Sequence, residues 1–418
     1  MTAAKLQHNY IRYVIIIFVA IMAIGLTGSI FSGHTSGDFD VYYQSSLNYL
    51  AHTPIYIAHS GIEEFKYSPL FAWFFSFFTI FEKTTSMYLW SILNIFLLFS
   101  MFYFIFKLRQ ISFNSIKDFL IIFFLFALTG RYIFSNIKIG QVNILLCFLL
   151  VLTMYFDIKK KCLWAAACLA LSLMIKLFPL LFLAYFILRR KFKIAGFTVL
   201  VTAALLLLPA AYSGFSLNLK YLHEWVVLLK TTPATMLYSV KNYSLFAFFA
   251  WLFISRHEPQ FILNYRFITK GLTSEVYYAW AASCFAFFGL FFYDAIFKKE
   301  RDERIVYLDY SCLFVCVLLF NPLAYLNALV LLVVPYFFIL RYLFYLDLGK
   351  LWVRVITSLT VVSFISSMAY NKAFFKDIEQ FYASLVYRFP MWTIILVYLC
   401  LWLVKFSLKL KLKRQAAG

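Results

Sequence analysis

The chain has 418 residues, 64% of them hydrophobic and 13% charged, with a formal net charge of +20. Soluble domains run to roughly 45–50% apolar and about 25% charged residues, so this composition excludes a soluble globular protein and describes an all-α polytopic membrane protein. The Lys and Arg residues fall in short clusters between apolar runs, where the positive-inside rule puts them; the basic balance therefore reads as topology, and no nucleic-acid partner is expected.

Apolar runs long enough, or nearly long enough, to span a bilayer occur at about 11–31, 86–107, 118–136, 141–157, 162–176, 177–189, 193–212, 275–297, 305–320, 322–343, 351–370 and 389–408. That gives about twelve transmembrane helices. The first run is long for a signal-peptide core and reads as an uncleaved anchor. The segment 69–81 is apolar too, but it is short and opens with Pro69. Leaving it out of the spans puts the clusters after Lys107, Lys159, Arg189, Lys298, Arg341 and Lys405 on one side. It is therefore expected as a juxtamembrane or re-entrant helix on the outer face, with both termini cytoplasmic. Loops 32–85, 213–274 and 371–388 then share the outer side, and the first two carry many aromatics, among them Tyr42, Tyr49, Trp225 and Tyr238. The expected organisation is an N-terminal catalytic half at 1–212 that includes loop 32–85, a long outer loop at 213–274, and a C-terminal half at 275–418.

The strongest chemical signal is Gly37-Asp38-Phe39-Asp40-Val41-Tyr42-Tyr43, an acidic pair just beyond the first apolar run. Carboxylates at a membrane surface are either functional or loosely held loop residues. Two residues apart, Asp38 and Asp40 are unlikely to share one task. Asp40 suits the N-cap of the helix that follows, which leaves Asp38 as the better general base. Further polar groups recur at outer helix ends: Arg131, Lys138, Gln141 and Asn143 around one turn, and Lys176 inside an otherwise apolar stretch. Lys176 has two even readings, snorkelling to the interface or binding a phosphate. Lys138 reads as a solvated side chain. Asn242-Tyr243-Ser244 matches a glycosylation sequon, whose weight depends on a secretory host. The seven cysteines lie in or beside apolar runs without metal-ligand spacing, and no further carboxylate cluster is present, so no metal or other cofactor is expected.

Asp38-x-x-Val41-Tyr42, Tyr67-Ser68-Pro69, Gly140-Gln141-Val142-Asn143, Ile175-Lys176-Leu177-x-Pro179 and Asn242-x-Ser244-Leu245, in this order across about residues 10–250, resemble glycosyltransferase family 87 of the membrane-embedded GT-C class. Departures are Tyr243, where the family often has Gln, and Tyr325 and Asn327 after Asn321-Pro322, where Trp and His are frequent. The resemblance implies a GT-C-like fold with outer-face juxtamembrane helices and an inverting transfer of a hexose, most often mannose, from a polyprenyl-phosphate donor. The acceptor is a lipid-linked or other glycan at the non-cytoplasmic face, and a bacterial plasma membrane is the implied setting. Asp38 or Asp40 would be catalytic, and Tyr67, Arg131, Gln141, Asn143, Lys176, Asn242 and Ser244 would bind substrate. The rival reading is a polytopic transporter or lipid flippase, against which stand the position of the charges at helix ends and the lack of an internal repeat.

Overall fold

A run of about 20 apolar residues satisfies its backbone in hydrocarbon by forming an α-helix. In the computed structural model each of the twelve runs contains an α-helix. It describes residues 3–31, 37–57, 64–108, 115–230, 237, 242–254, 274–297, 302–346, 348–368 and 389–417, and no strand occurs among them. Tyr238, the stretch 371–388 and the cations Lys298, Lys299 and Arg301 lie outside the described residues. The protein is an all-α polytopic membrane protein. Among the described residues six segments are long and apolar enough to cross a bilayer on their own, beginning with Lys83–Leu108 and Ile116–Ile139 and ending with Met391–Gln415.

The chain divides into two compact units. The first holds Met1–Leu120 and Arg131–Thr232. Its helices are α1 (Ala3–Phe31), α2 (Asp38–Leu50), α3 (Pro69–Phe75), α4 (Lys83–Leu108), the two ends of α5 (Ile116–Ile139), α6 (Asn143–Ile158), α7 (Cys162–Ile175), α8 (Leu180–Leu188), α9 (Phe192–Leu207), α10 (Ala210–Ser213) and α11 (Phe215–Lys230). Helix α7 packs against both α6 and α9. Its buried face carries Ala165, Ala166, Cys168 and Ala170, small side chains that let neighbouring backbones approach where no hydrophobic effect drives association. Segment 69–81 folds as α3 followed by a 3₁₀ turn at Ser76–Ile80, about 20 Å of helix in all, which is too short for a bilayer core of about 30 Å.

The second unit holds Ile121–Gly130, the middle of α5, and Pro233–Gly418. It contains α12 (Leu245–Ile254), α13 (Ser274–Phe297), α14 (Glu303–Phe320), a 3₁₀ segment at Leu326–Leu332 continuing into α15 (Val333–Tyr345), α16 (Lys350–Met368) and α17 (Phe389–Ala417). Nearly every residue of α14 is buried, and it packs on α15 and α17. Inside this apolar packing Lys405 of α17 donates to Asp309 of α14 at 2.9 Å, both side chains almost fully buried.

The structure breaks two expected segments. The stretch 213–274, expected as one outer loop, contains α11, which packs on α3 and α9, and α12, which packs on α13 in the second unit. Helix α11 is amphipathic: Asn218, Tyr221, Trp225 and Leu228 form its buried stripe at helical spacing. The run 322–343 is likewise divided, because the chain enters it through Asn321-Pro322 and a 3₁₀ segment before α15 begins at Val333.

Candidate functional site

Helix α5 ends at Gly140 in a Schellman turn: the Gln141 amide donates to the Asn136 carbonyl at 2.9 Å and the Gly140 amide to Ile137 at 3.2 Å. Gly140 has φ +66°, the left-handed region, and a Cβ there would lie 2.6 Å from the Phe39 Cβ, so only glycine fits. Trp90 of α4 donates its indole N–H to the Gly140 carbonyl at 2.7 Å. The turn therefore projects Gln141 in one fixed direction. Its Oε1 accepts from the Tyr42 hydroxyl at 2.9 Å, the Tyr67 hydroxyl at 3.3 Å and the Val142 amide at 3.0 Å. The Tyr42 and Tyr67 hydroxyls are themselves 2.9 Å apart. The Tyr42 ring, fully buried, sits edge-on to Tyr67, Phe71, Phe75 and Trp90. Burial, the neighbouring Tyr67 and the charge of Asp38 hold its phenol well above the usual range, so Tyr42 remains a proton donor to Gln141.

This network fixes α2, and α2 carries the acidic pair. The expected capping role of Asp40 is not what the structure shows. The N-cap is Gly37, and both Asp38 and Asp40 lie in the first helical turn, where the helix dipole favours negative charge. On a helix, residues two apart point to roughly opposite sides, while residues four apart share a face. Asp40 accordingly turns to Lys83 at the start of α4, with Nζ to Oδ1 at 3.0 Å. Asp38, half-buried, shares the face of Tyr42. Its charge acts on both Tyr42 and Lys176.

Lys176 ends α7 in extended backbone. That end is held by Ser68, whose hydroxyl donates to the Met174 carbonyl at 2.6 Å. The Lys176 ammonium does not turn along the helix to the exterior; it donates to Asn143 Oδ1 at 2.6 Å. Burial lowers its pKa from 10.5 to about 8, against an opposing upward push from Asp38. Asn143 is buried, and among the described residues its Nδ2 has no hydrogen-bond partner. It is also the first residue of α6, so the positive end of that helix dipole lies at the same place. Lysine, amide donor and helix start together suit an anion. Beside them runs a cavity of about 470 Å³ with an apolar lining that includes Leu70, Phe74, Leu149, Leu171, Met174 and Leu205.

Tyr67, Gln141, Asn143, Lys176, Asp38 and Asp40 are thus gathered in the first unit. Arg131 stands on α5 nine residues before Gly140, about 13 Å further along the helix axis. Lys138 is exposed. Asn242 and Ser244 belong to the second unit, where Asn242 Nδ2 donates to the carbonyls of Leu237 and Pro322 and its Oδ1 accepts from the amides of Ser244 and Ala324. The Ser244 hydroxyl donates to Pro322 and accepts from the Ala247 amide, capping α12. Fully buried and saturated in this way, the Asn242 amide is not accessible as a glycosylation acceptor. The sequence by itself does not mark Tyr42, Ser68 or Trp90 as site residues. The four-residue spacing of Asp38 and Tyr42 is the signal that points to Tyr42, whereas no local pattern marks Ser68 or Trp90.

The sequence profile of glycosyltransferase family 87 matches residues 65–322, more than half of the chain. The chain belongs to glycosyltransferase family 87. It is therefore a glycosyltransferase, with a glycosyl donor and an acceptor as its substrates, and the transporter or flippase reading is not favoured. No curated protein and no solved structure gives a significant match. The family 87 match includes Tyr67, Gln141, Asn143 and Lys176; Asp38 and Asp40 precede it.

Proposed function

We propose that this family 87 enzyme transfers a hexose, mannose foremost, from a polyprenyl-phosphate donor to the hydroxyl of a lipid-linked or glycan acceptor at the non-cytoplasmic face. The observation that carries the reading is the arrangement at Lys176. An anion site made of its ammonium, the Asn143 amide and the start of α6 adjoins an apolar cavity, while a carboxylate, Asp38, acts on the same lysine. A polyprenyl phosphate has this combination of a charged head and a hydrocarbon tail.

In the reaction the acceptor oxygen attacks the anomeric carbon, the bond from that carbon to the phosphate oxygen breaks, and the polyprenyl phosphate leaves with the bonding electrons. Asp38 takes the proton of the acceptor hydroxyl as the new bond forms. Lys176 and Asn143 Nδ2 stabilise the charge that grows on the leaving phosphate. Tyr42, Tyr67 and Gln141 hold α2, and with it Asp38, against the turn that starts α6. Asp40, paired with Lys83, anchors the other side of α2. Arg131, Asn242 and Ser244 are assigned supporting roles, the last two by locking the turn at Asn321-Pro322.

The test is to incubate the purified protein with polyprenyl-phosphate mannose, or with the glucose analogue, and a lipid extract, and to follow the products by mass spectrometry. A new hexosylated lipid or glycan together with released polyprenyl phosphate is expected. Transfer only from a nucleotide sugar, with the lipid donor left intact, overturns the donor assignment.

A further inference from the structure

The second unit contains an apolar groove that the glycosyl-transfer reading does not use. It has a volume of about 370 Å³ and lies between the middle of α5, the end of α15 and α16, lined by Phe123, Ala127, Leu340, Phe344, Thr357 and Phe364 among others. On α16 the lining residues Val353, Thr357, Thr360, Val361 and Phe364 recur every three to four positions, so the groove follows one helix face for about 16 Å. That is a narrow slot for a single hydrocarbon chain.

At this end of the groove α16 begins with Lys350, three residues before Val353 on the same face, and Arg354 follows Val353 at the edge of that face. Both are exposed, and neither makes an ion pair among the described residues. On α15 Arg341 follows the lining residue Leu340 and stacks on the Tyr345 ring at 3.6 Å. Between Arg341 and Met368 the sequence has three cations against one acid, Asp347, and α16 itself has no acidic residue. One end of the slot is therefore cationic and the rest is hydrocarbon. Cations at a helix end attract anionic lipid headgroups, and a groove between membrane helices with basic residues at its mouth is a recurrent form of lipid site.

From this geometry we infer that the second unit has a binding site for an anionic phospholipid, one acyl chain lying in the α5–α15–α16 groove and the phosphate held by Lys350 and Arg354. The site is separate from the residues proposed for transfer, all of which that touch substrate belong to the first unit. It provides a means by which the lipid composition of the membrane sets the stability of the second unit.

Each cation near an anionic surface contributes about fivefold to affinity, so losing both should reduce binding roughly 25-fold. The experiment uses the full chain, delipidated in neutral detergent, and measures thermal stability and retained lipid by native mass spectrometry. The additives are dioleoyl-phosphatidylglycerol, dioleoyl-phosphatidylcholine, inorganic phosphate and polyprenyl phosphate. Phosphatidylglycerol should raise the Tm and stay bound where phosphatidylcholine does not. Lys350→Gln with Arg354→Gln should abolish that preference, Lys350→Arg with Arg354→Lys should keep it, and Ala127→Phe, which fills the slot, should lower retention of phosphatidylglycerol. Equal effects of the two phospholipids, or a preference that survives the double Gln variant, would overturn the inference. So would full stabilisation by inorganic phosphate, or displacement of phosphatidylglycerol by stoichiometric polyprenyl phosphate at this groove.

Discussion

Replacing Lys176 by methionine should weaken donor binding and at the same time stabilise the folded protein near neutral pH. The first effect follows from the bond the ammonium offers an anion. A charge-assisted hydrogen bond contributes about 1.5–3 kcal/mol, which is roughly 10- to 150-fold in affinity for a polyprenyl-phosphate sugar. The second follows from the lowered pKa. In the folded protein Lys176 titrates at about 8, against 10.5 for an ordinary lysine. Below pH 8 both folded and unfolded states hold the proton, and the desolvation cost of the buried ammonium is fully present. Between 8 and 10.5 the unfolded state binds more protons, so this group makes stability rise with pH, by up to about 3 kcal/mol.

The two effects have opposite slopes, which makes them diagnostic. Donor affinity of the native protein should fall as pH rises through 8, because the ammonium is lost, while the contribution of Lys176 to stability improves over the same interval. Titration of a non-transferable donor analogue between pH 6.5 and 9.5, with thermal melts over the same range extended to 10.5, measures both. Lys176→Met should flatten both dependences and raise the Tm at pH 7. Unchanged donor affinity and an unchanged pH profile in a folded Lys176→Met variant would refute the assignment and leave Lys176 as a packing residue bonded to Asn143.

Asp38→Asn should reduce turnover by roughly 10²–10⁴-fold with donor binding retained, as expected for loss of a general base, whereas Asp40→Asn should cost less than about 1 kcal/mol through its exposed partner Lys83. Initial rates and donor titrations on both variants decide between them, and a reversed order transfers the role to Asp40. Gly140→Ala should lower the Tm and turnover together, because a non-glycine residue at φ +66° costs about 1–2 kcal/mol before the contact with Phe39 is counted; Gly130→Ala, in open space within α5, should be neutral or slightly stabilising. Lys405→Met should destabilise by about 3–5 kcal/mol, since it removes the ammonium that pairs with the buried Asp309 carboxylate, and adding Asp309→Leu should recover much of the loss; thermal melts of the single and double variants measure this.

The sequence makes visible what the bilayer makes expensive. Apolar runs and basic clusters mark the helices, and Asp38, Gln141, Asn143 and Lys176 stand out because polar groups at helix ends in such a chain need a reason. Gly140 before Gln141 likewise signals a helix end. Less visible are the interactions that depend on tertiary packing. Asp40 looks like a cap because it precedes an apolar-aromatic helix, yet Gly37 opens that helix and Asp40 finds Lys83, a residue 43 positions away. Ser68 reads only as part of a Tyr-Ser-Pro string until α7 ends against it. Helices α11 and α12 were hidden in a stretch expected as loop: α11 mixes charge with a narrow apolar stripe, and α12 is only ten residues long.

The extent of the family match sharpens what the structure adds. Residues 65–322 include every group proposed to hold the leaving phosphate, but the proposed base lies ahead of them on α2. Sequence similarity over the matched part therefore says nothing about how a base reaches the anion site. The connection is physical: Phe39 seats against Gly140, Tyr42 hydrogen-bonds Gln141, and these two contacts on successive turns leave α2 with one position relative to the start of α6. Asp38 shares the Tyr42 face and Asp40 does not. A glycosyl transfer needs proton removal on the acceptor side and charge stabilisation on the phosphate side at the same moment. In the proposed mechanism the buried Tyr42–Tyr67–Gln141 network is the link between the two, so Tyr42→Phe, which removes one hydroxyl and keeps the ring, tests that link.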